Sequence, residues 1–281
     1  MLLWASHVTV SMVQAEQPTS SKLRVLLVAG GCCHDYATQT KLLKEGIEAR
    51  INAEVTVEFN PSKGTDTTFP IYDSDDWAKG FDVVLHDECS AAVMDKTYVN
   101  RILAAHRAGV PAVNLHCAMH SYRWGDFRQP VELGADNAGW YEMLGVQSTG
   151  HGPQSPIEIS FSDEKHPVIH GMKNWTTINE ELYNNVRVYD GTTVLAGGKQ
   201  TQAPRRRELQ NNPDAKPRVA EAAVVWTNEF GPKKTRIFST TLGHNNDTVG
   251  DERYLDLIVR GLLWTTSNIQ EDGSPVESLA K

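Results

Sequence analysis

The stretch Leu23-Arg24-Val25-Leu26-Leu27-Val28-Ala29-Gly30-Gly31 decides the fold class of this chain. Its almost unbroken apolar run predicts a strand buried on both faces of a sheet, and the two glycines predict a tight turn after it. Residues 38–51 then carry Leu42, Leu43 and Ile47 at helical spacing, which predicts a helix packed against that strand. A buried strand followed by a packed helix is typical of an α/β protein.

The same alternation continues along the chain, except in a less regular middle section. The later strands are predicted at 54–59, 82–86, 112–115, 157–161, 193–196, 223–226 and 236–239, and the later helices at 94–108 and 252–266. From residue 125 to about 222, Gly, Pro, Asn and Trp interrupt the pattern, so its two strands are predicted as isolated. We therefore expect one domain with a mostly parallel sheet, a loop-rich insertion and a C-terminal β-hairpin.

The two ends of the chain differ from this domain. The apolar part of residues 1–21 ends in Val13-Gln14-Ala15, a pattern that suits signal-peptidase cleavage. The segment lacks the basic residues with which a signal peptide usually begins. We expect either a periplasmic or secreted protein, with 1–21 as signal remnant and linker, or a cytoplasmic protein with an inert leader. The domain itself is expected over 22–267 and a flexible tail over 268–281. No apolar run is long enough to span a bilayer, so a soluble protein without stable membrane insertion is expected.

Composition excludes some functions and draws attention to two residue types. The chain has 35 acidic and 27 basic residues, a net charge of −8, which argues against nucleic acid as a partner. Its 10 histidines and 4 cysteines are the unusual part. Adjacent Cys32 and Cys33, with Cys89 and Cys117, form no CxxC motif, so we expect no disulfide and mostly buried thiols.

Polar side chains follow several predicted strands at the edge where ligands bind in α/β sheets. They are His34, Asp87, His116, Cys117, His120 and His244. If a helix begins at His116, the i, i+4 pair His116 and His120 shares one face and holds a divalent metal, zinc or similar. The third ligand would then be His34, His151, Glu181 or His244. Alternatively, these same residues supply general acid/base catalysis.

Cys117 follows a predicted strand at the place where many α/β enzymes carry a nucleophile. Its flanks do not fit, because Leu115 and Met119 stand where a nucleophile turn needs small residues. The histidine that would complete the relay, His244, lacks the expected Glu two residues later. These departures favour a structural thiol over cysteine catalysis.

Several longer stretches resemble the ThuA-like (trehalose utilisation) family of the class I glutamine amidotransferase-like superfamily. The matching stretches are 140–145, 150–153, 166–172, 180–183, 236–244 and 260–264. The resemblance covers roughly residues 22–266 and implies a three-layer, flavodoxin-like fold. It also implies a role in sugar catabolism through 3-keto intermediates, with a sugar oxidoreductase as partner in the same pathway.

The resemblance selects a candidate site as well. The residues that match the recurrent polar positions of the family, and that we expect to be catalytic, are His34, His116, His151, Glu181 and His244. Asp87, Cys117, His120 and Tyr183 are expected to contribute to binding. The amidotransferase triad is missing, as it generally is in the family.

Three functions remain open on this basis. The first is an enzyme that acts on a sugar or 3-keto-sugar as an isomerase, lyase or hydrolase, by His and Glu181 acid/base chemistry with or without a divalent metal. The second is a non-catalytic sugar-binding accessory protein, and the third is a Cys117-dependent amidase or hydrolase. In the first two cases the ligand is a small carbohydrate, and the chain is also compatible with a homo-oligomer.

Overall fold

The computed structural model describes residues 22–162, 165–204 and 206–281, so the predicted signal segment lies outside the described residues. β1 (Leu23–Gly31) leads into α1 (Tyr36–Arg50) and then β2 (Ala53–Asn60). β2 pairs in parallel with β1, with Leu23 opposite Ala53. The predicted first β-α unit is therefore confirmed, although its helix starts two residues earlier than expected.

The next unit builds the other side of β1. β3 (Val83–Cys89) pairs in parallel with β1, and α2 (Lys96–Arg107) connects it to β4 (Ala112–Leu115). β4 pairs in parallel with β3, and a short 3₁₀ helix, His116–His120, follows directly.

The loop-rich half contains more regular structure than its sequence pattern predicts. Its elements are α3 (Gly139–Leu144), β5 (Val146–Gln147), β6 (His151–Phe161), β7 (Trp175–Tyr183), β8 (Arg187–Val188), β9 (Thr193–Gln202) and α4 (Arg206–Asn211). The prediction that the strands at 157–161 and 193–196 are isolated is wrong, because β6 and β9 pair with each other in the main sheet. β5 and β8 form a separate two-stranded sheet.

The last part of the chain completes the sheet. β10 (Arg218–Phe230) and β11 (Thr235–Thr240) form the predicted hairpin, with Val225 opposite Thr240, before α5 (Asn246–Val249) and α6 (Glu252–Thr265). The main sheet has the order β2-β1-β3-β4-β11-β10-β9-β6-β7. Its first five strands are parallel, whereas the hairpin and the insertion extend it with antiparallel pairs. The α/β class and the C-terminal hairpin are confirmed.

Helices cover both faces of the parallel part. Val25 and Leu27 of β1 pack with residues of α1 and α6 in one buried cluster. Leu26 and Val28 pack with residues of α2 and α3 in a second cluster on the opposite face. Alternate residues of one strand therefore face two helical layers, as in a three-layer fold.

Residues 268–281 are packed rather than loose, contrary to the flexible tail we expected. Leu279 is 4% exposed and belongs to the core cluster that contains α1. Its carbonyl accepts a hydrogen bond from the Asn52 backbone N–H at 2.9 Å. An apolar side chain and a backbone bond therefore attach this segment to the domain.

Within the described ranges, none of the helices combines the length and the apolar character that a membrane crossing requires.

Candidate active site

The ends of four strands bring most of the predicted site residues together. His34 follows β1, His116 follows β4, and His244 follows β11, so all three lie at the carboxyl edge of the parallel strands. β7 brings Glu181 and Tyr183 to the same edge from the insertion. At this edge, residues up to 210 positions apart in the sequence come into contact.

Glu181 lies at the centre of this group. Its Oε2 atom is 3.2 Å from His244 Nδ1, 3.6 Å from His116 Nε2 and 3.5 Å from His151 Nδ1. Burial raises the pKa of this carboxyl, but the neighbouring imidazoles of His116 and His244 outweigh burial and hold the pKa well below its usual range. Glu181 is therefore a carboxylate across the physiological pH range, surrounded by imidazoles.

His116 occupies the sharp turn at which β4 ends. Its φ of 36° is in the left-handed region, which costs a non-glycine residue free energy and is common at functional sites. The strained residue of this turn is thus His116, and Cys117, which we had placed there, comes one position later. His116 Nδ1 donates to the Thr241 carbonyl at 2.6 Å, so its Nε2 lone pair faces the site.

His244 faces His116 across the site. Its Nδ1 is 3.3 Å from His116 Nε2, and its backbone N–H donates to Glu180 Oε2 at 3.0 Å. Burial lowers the pKa of His244. The Glu181 hydrogen bond and the charges of Glu181 and Glu180 raise this pKa by more than burial lowers it, so the net shift is upward. Two adjacent carboxylates therefore hold this imidazole in place and favour its charged form.

Three atoms of this group have the spacing of metal ligands. His116 Nε2, His244 Nδ1 and Glu181 Oε2 are separated by 3.3, 3.2 and 3.6 Å. A tetrahedral zinc ion with bonds of about 2.0–2.1 Å separates its ligand atoms by about 3.3 Å. The Thr241 carbonyl already fixes the His116 tautomer in the way that outer partners of metal-bound imidazoles do. The residues present therefore fit a divalent metal.

His120 does not belong to this triangle. The expected α-helical turn is a 3₁₀ helix, in which residues four apart do not share a face. His120 instead bonds Ser148 Oγ at 2.9 Å, and its ring stacks on Tyr183 with the centroids 4.2 Å apart. Burial holds its pKa well below the usual range. The predicted His116 and His120 metal pair is therefore wrong.

The remaining predicted residues lie around the centre at different depths. Tyr183 is buried, and its hydroxyl donates to His116 Nε2 at 3.1 Å. Asp87 is buried too, and burial, Cys117 and Glu88 raise its pKa well above the usual range. His151 is the most exposed member, with 41% of its side chain accessible. Tyr183 is therefore buried beside His116, whereas His151 is accessible to solvent.

The cysteines correct a second prediction. Adjacent Cys32 and Cys33 form a disulfide, so the expectation of no disulfide is wrong. The two glycines before them and the left-handed backbone of Cys33, with φ of 85°, provide the conformation. Cys117 is buried, and its Sγ is 2.9 Å from His34 Nε2. A hydrogen bond to Cys89 and burial raise its pKa well above the usual range, so it stays a thiol.

A cavity of about 530 Å³ opens over His34 and His244. Its other walls are mainly carboxamides and carboxylates: Asp35, Gln154, Asn179, Asn245 and Asn246. The Gln154 amide nitrogen is 2.8 Å from His244 Nε2. Asn245 and Asn246 belong to the polar residues that follow the last strand, so their position in the sequence indicated a place near the site. Nothing in the sequence pattern indicated that Gln154 or Asn179 would line the cavity.

Comparisons with known proteins agree with this fold. A family model described as ThuA, trehalose utilisation, matches residues 24–265. A ThuA-like protein from Parabacteroides merdae has a TM-score of 0.59 at 15% identity, covering 92% of this chain and 97% of its own. One from Bacteroides uniformis has a TM-score of 0.58 at 15% identity, with 95% and 99% covered. A cytoplasmic protein from Salmonella typhimurium has a TM-score of 0.52 at 12% identity, with 86% and 99% covered.

At these identities the solved structures show a shared fold alone. A search of curated proteins finds no match. Fold and site together define a flavodoxin-like α/β protein with a histidine and glutamate site at the carboxyl edge of its sheet. The chain belongs to the ThuA, or trehalose utilisation, family.

Proposed function

We propose that this protein is a metal-assisted enzyme that acts on a sugar or 3-keto-sugar at the carboxyl edge of its sheet. The observation that carries the proposal is the triangle of His116 Nε2, His244 Nδ1 and Glu181 Oε2, with sides of 3.2–3.6 Å, whose member His244 lines a polar cavity. Its family, trehalose utilisation, supports a carbohydrate as the substrate.

The cavity walls suit a carbohydrate better than an apolar or strongly charged ligand. Gln154, Asn179, Asn245 and Asn246 each offer both amide donors and a carbonyl acceptor. Sugar hydroxyls also donate and accept, so such side chains can bind several of them at once. Asp35 adds an acceptor at the same wall. These residues would orient the sugar ring above His244.

The three central residues would hold the metal, and each is fixed by a partner. His116 is held by the Thr241 carbonyl, and the backbone of the His244 segment is held by Glu180, which accepts from the N–H groups of His244 and Asn245. A divalent metal bound there would supply a positive charge that polarises a substrate carbonyl.

His151 is the best placed residue to move a proton. Its side chain is 41% accessible, so a substrate can reach it, and its Nδ1 lies 3.5 Å from the Glu181 carboxylate. The carbon next to a carbonyl is acidic, so an imidazole can remove its proton while the electron pair moves onto the carbonyl oxygen. Glu181 itself is a weak base, because its pKa lies well below the usual range. We therefore assign Glu181 to ligation and His151 to proton transfer.

Elemental analysis and zinc titration of the purified protein test the proposal. We expect about one bound metal per chain in the wild type and little in Glu181→Gln, because the amide removes a negatively charged ligand. Glu158→Gln makes the same chemical change at an exposed position of β6 and should bind metal normally. Equal metal contents in all three proteins would overturn the metal assignment.

Turnover of 3-keto-glycosides and calorimetry with sugars test the activity. We expect His151→Gln to keep the metal and lose most of the turnover, since general acid/base catalysis typically contributes about 10²–10⁴-fold. Saturable sugar binding without product, in the metal-loaded wild type, would identify a sugar-binding accessory protein instead.

One contact favours a second candidate, a Cys117-dependent hydrolase. Cys117 Sγ lies 2.9 Å from His34 Nε2, and His34 Nδ1 donates to the His244 carbonyl at 3.2 Å, as in a cysteine and histidine pair. Burial of Cys117 and its raised pKa count against a nucleophile. Inactivation of the enzyme by Cys117→Ser would support this candidate, whereas full activity would eliminate it.

A further inference from the structure

All four cysteines of the chain meet beside the candidate site. The Cys32–Cys33 disulfide follows β1, and the parallel register of β1 and β3 sets Gly31 opposite Cys89. Cys32 Sγ is 3.3 Å from Cys89 Sγ, and the nearby Cys117 side chain lowers the pKa of Cys89. The sulfurs of Cys32, Cys33 and Cys89 all lie within 4.8 Å of one another. Residues from two strand ends thus form one continuous series of three sulfurs.

The two ends of the series differ in accessibility. Cys33 is exposed and lines the 530 Å³ cavity, whereas Cys89 is buried with 3% of its surface accessible. At present the free thiol is that of buried Cys89, which reagents cannot reach. If Cys32 bonded Cys89 instead of Cys33, the free thiol would be that of Cys33, which faces the cavity.

We propose that Cys32, Cys33 and Cys89 form a thiol–disulfide exchange site. The Cys89 thiolate attacks Cys32 Sγ, the Cys32–Cys33 bond breaks, and a Cys32–Cys89 bond forms. Cys33 leaves as a thiolate and takes up the proton that Cys89 released. One disulfide and one thiol are present before and after, so the step needs no external oxidant or reductant.

Two local features support the exchange. The Cys117 side chain and the charge of Arg123 hold the pKa of Cys89 below its usual value although burial raises it, which increases the fraction of the attacking thiolate. Cys33 has a left-handed backbone with φ of 85°, which a residue with a side chain rarely adopts. Once its bond to Cys32 breaks, Cys33 is no longer tied to that conformation, and this favours its release into the cavity.

Alkylation of the native protein, purified without reductant, tests the proposal. Iodoacetamide traps any Cys33 thiol that exchange releases, and peptide mapping without reduction locates the disulfide. We expect carboxamidomethyl groups on Cys33 and a cross-link between the peptides of Cys32 and Cys89. The trapping rate should become independent of iodoacetamide concentration once the exchange step limits it.

Two variants separate exchange from direct labelling. Cys89→Ser lacks the attacking thiol, so Cys33 should remain unlabelled in its disulfide. Cys117→Ala keeps the three exchanging sulfurs and removes the side chain that lowers the pKa of Cys89, so trapping should slow several-fold even if the first variant folds poorly. Labelling of Cys89 with Cys32–Cys33 intact would overturn the proposal, as would four free thiols holding a metal in the purified protein.

Discussion

Replacement of His106 tests how a buried histidine affects the pH dependence of stability. His106 lies on α2 and is inaccessible to solvent, as are its neighbours His86 and Glu88. Its Nδ1 donates to the Val110 carbonyl at 2.7 Å, and its Nε2 is 3.0 Å from His86 Nε2. Because Nδ1 carries the proton of the neutral ring, Nε2 accepts from His86. A second proton on His106 has no acceptor in this arrangement.

The size and sign of the effect follow from the pKa. Burial, with the charge of His86, lowers the pKa of His106 from 6.5 to about 3, although the bond to Val110 opposes the shift. The unfolded chain therefore binds this proton at a higher pH than the folded chain does. The stability that neutral His106 provides is complete above the unfolded pKa and is lost as the pH falls through the range from 6.5 to about 3. Between about pH 7 and about pH 5 this amounts to about 2 kcal/mol.

Urea denaturation of the wild type and of His106→Gln at these two pH values measures the effect. Glutamine keeps one donor and one acceptor but does not titrate, so its free energy of unfolding should fall by about 2 kcal/mol less than that of the wild type. His170→Gln removes an exposed imidazole and should behave like the wild type. If His106→Gln loses as much stability on acidification as the wild type, His106 does not have the lowered pKa.

Three further substitutions test packing and capping. Leu279→Ala removes a side chain that is 4% exposed, so urea denaturation should show a loss of about 2–5 kcal/mol in the free energy of unfolding. A negligible loss would mean that the C-terminal segment does not stabilise the domain. Gly261→Ala places a methyl group 2.6 Å from Phe238 Cδ1, and this overpacking should lower the free energy of unfolding by about 1–3 kcal/mol. An unchanged melting temperature would contradict this expectation. Asp95→Ala removes the N-cap of α2 and should cost about 1 kcal/mol, whereas Asp95→Asn keeps an acceptor and should restore most of it; equal losses would argue against capping.

The parallel half of the sheet was predictable from local pattern, and the insertion was not. β1 is buried along almost its whole length, so its apolar run is visible in the sequence. β6 is mostly exposed in its first half, contains Gly152 and Pro156, and pairs with β7 through shifts in register. Such a strand lacks both a continuous apolar run and a clean alternation, which are the only local signals of a strand.

The candidate site shows the same division. His34, His116 and His244 were predictable because they follow parallel strands, whose carboxyl ends share one edge. Glu181 and His151 were two of several candidates for a third metal ligand until the family resemblance selected them, and nothing local distinguished Gln154, which reaches His244 from an antiparallel strand. Here the position in the folded sheet, and not the residue type, makes the side chain part of the site.

By itself, the sequence determined the α/β class, the succession of parallel β-α units along the chain, and the strand ends at which a site would form. These follow from hydrophobic periodicity and turn residues, which act over a few positions of the chain. Only the tertiary structure decided that Glu181 joins His116 and His244, that Cys32 bonds Cys33 beside Cys89, and that His120 turns away to Ser148. Such contacts depend on sheet order, backbone conformation and burial, which bring distant residues within bonding distance and which no local pattern encodes.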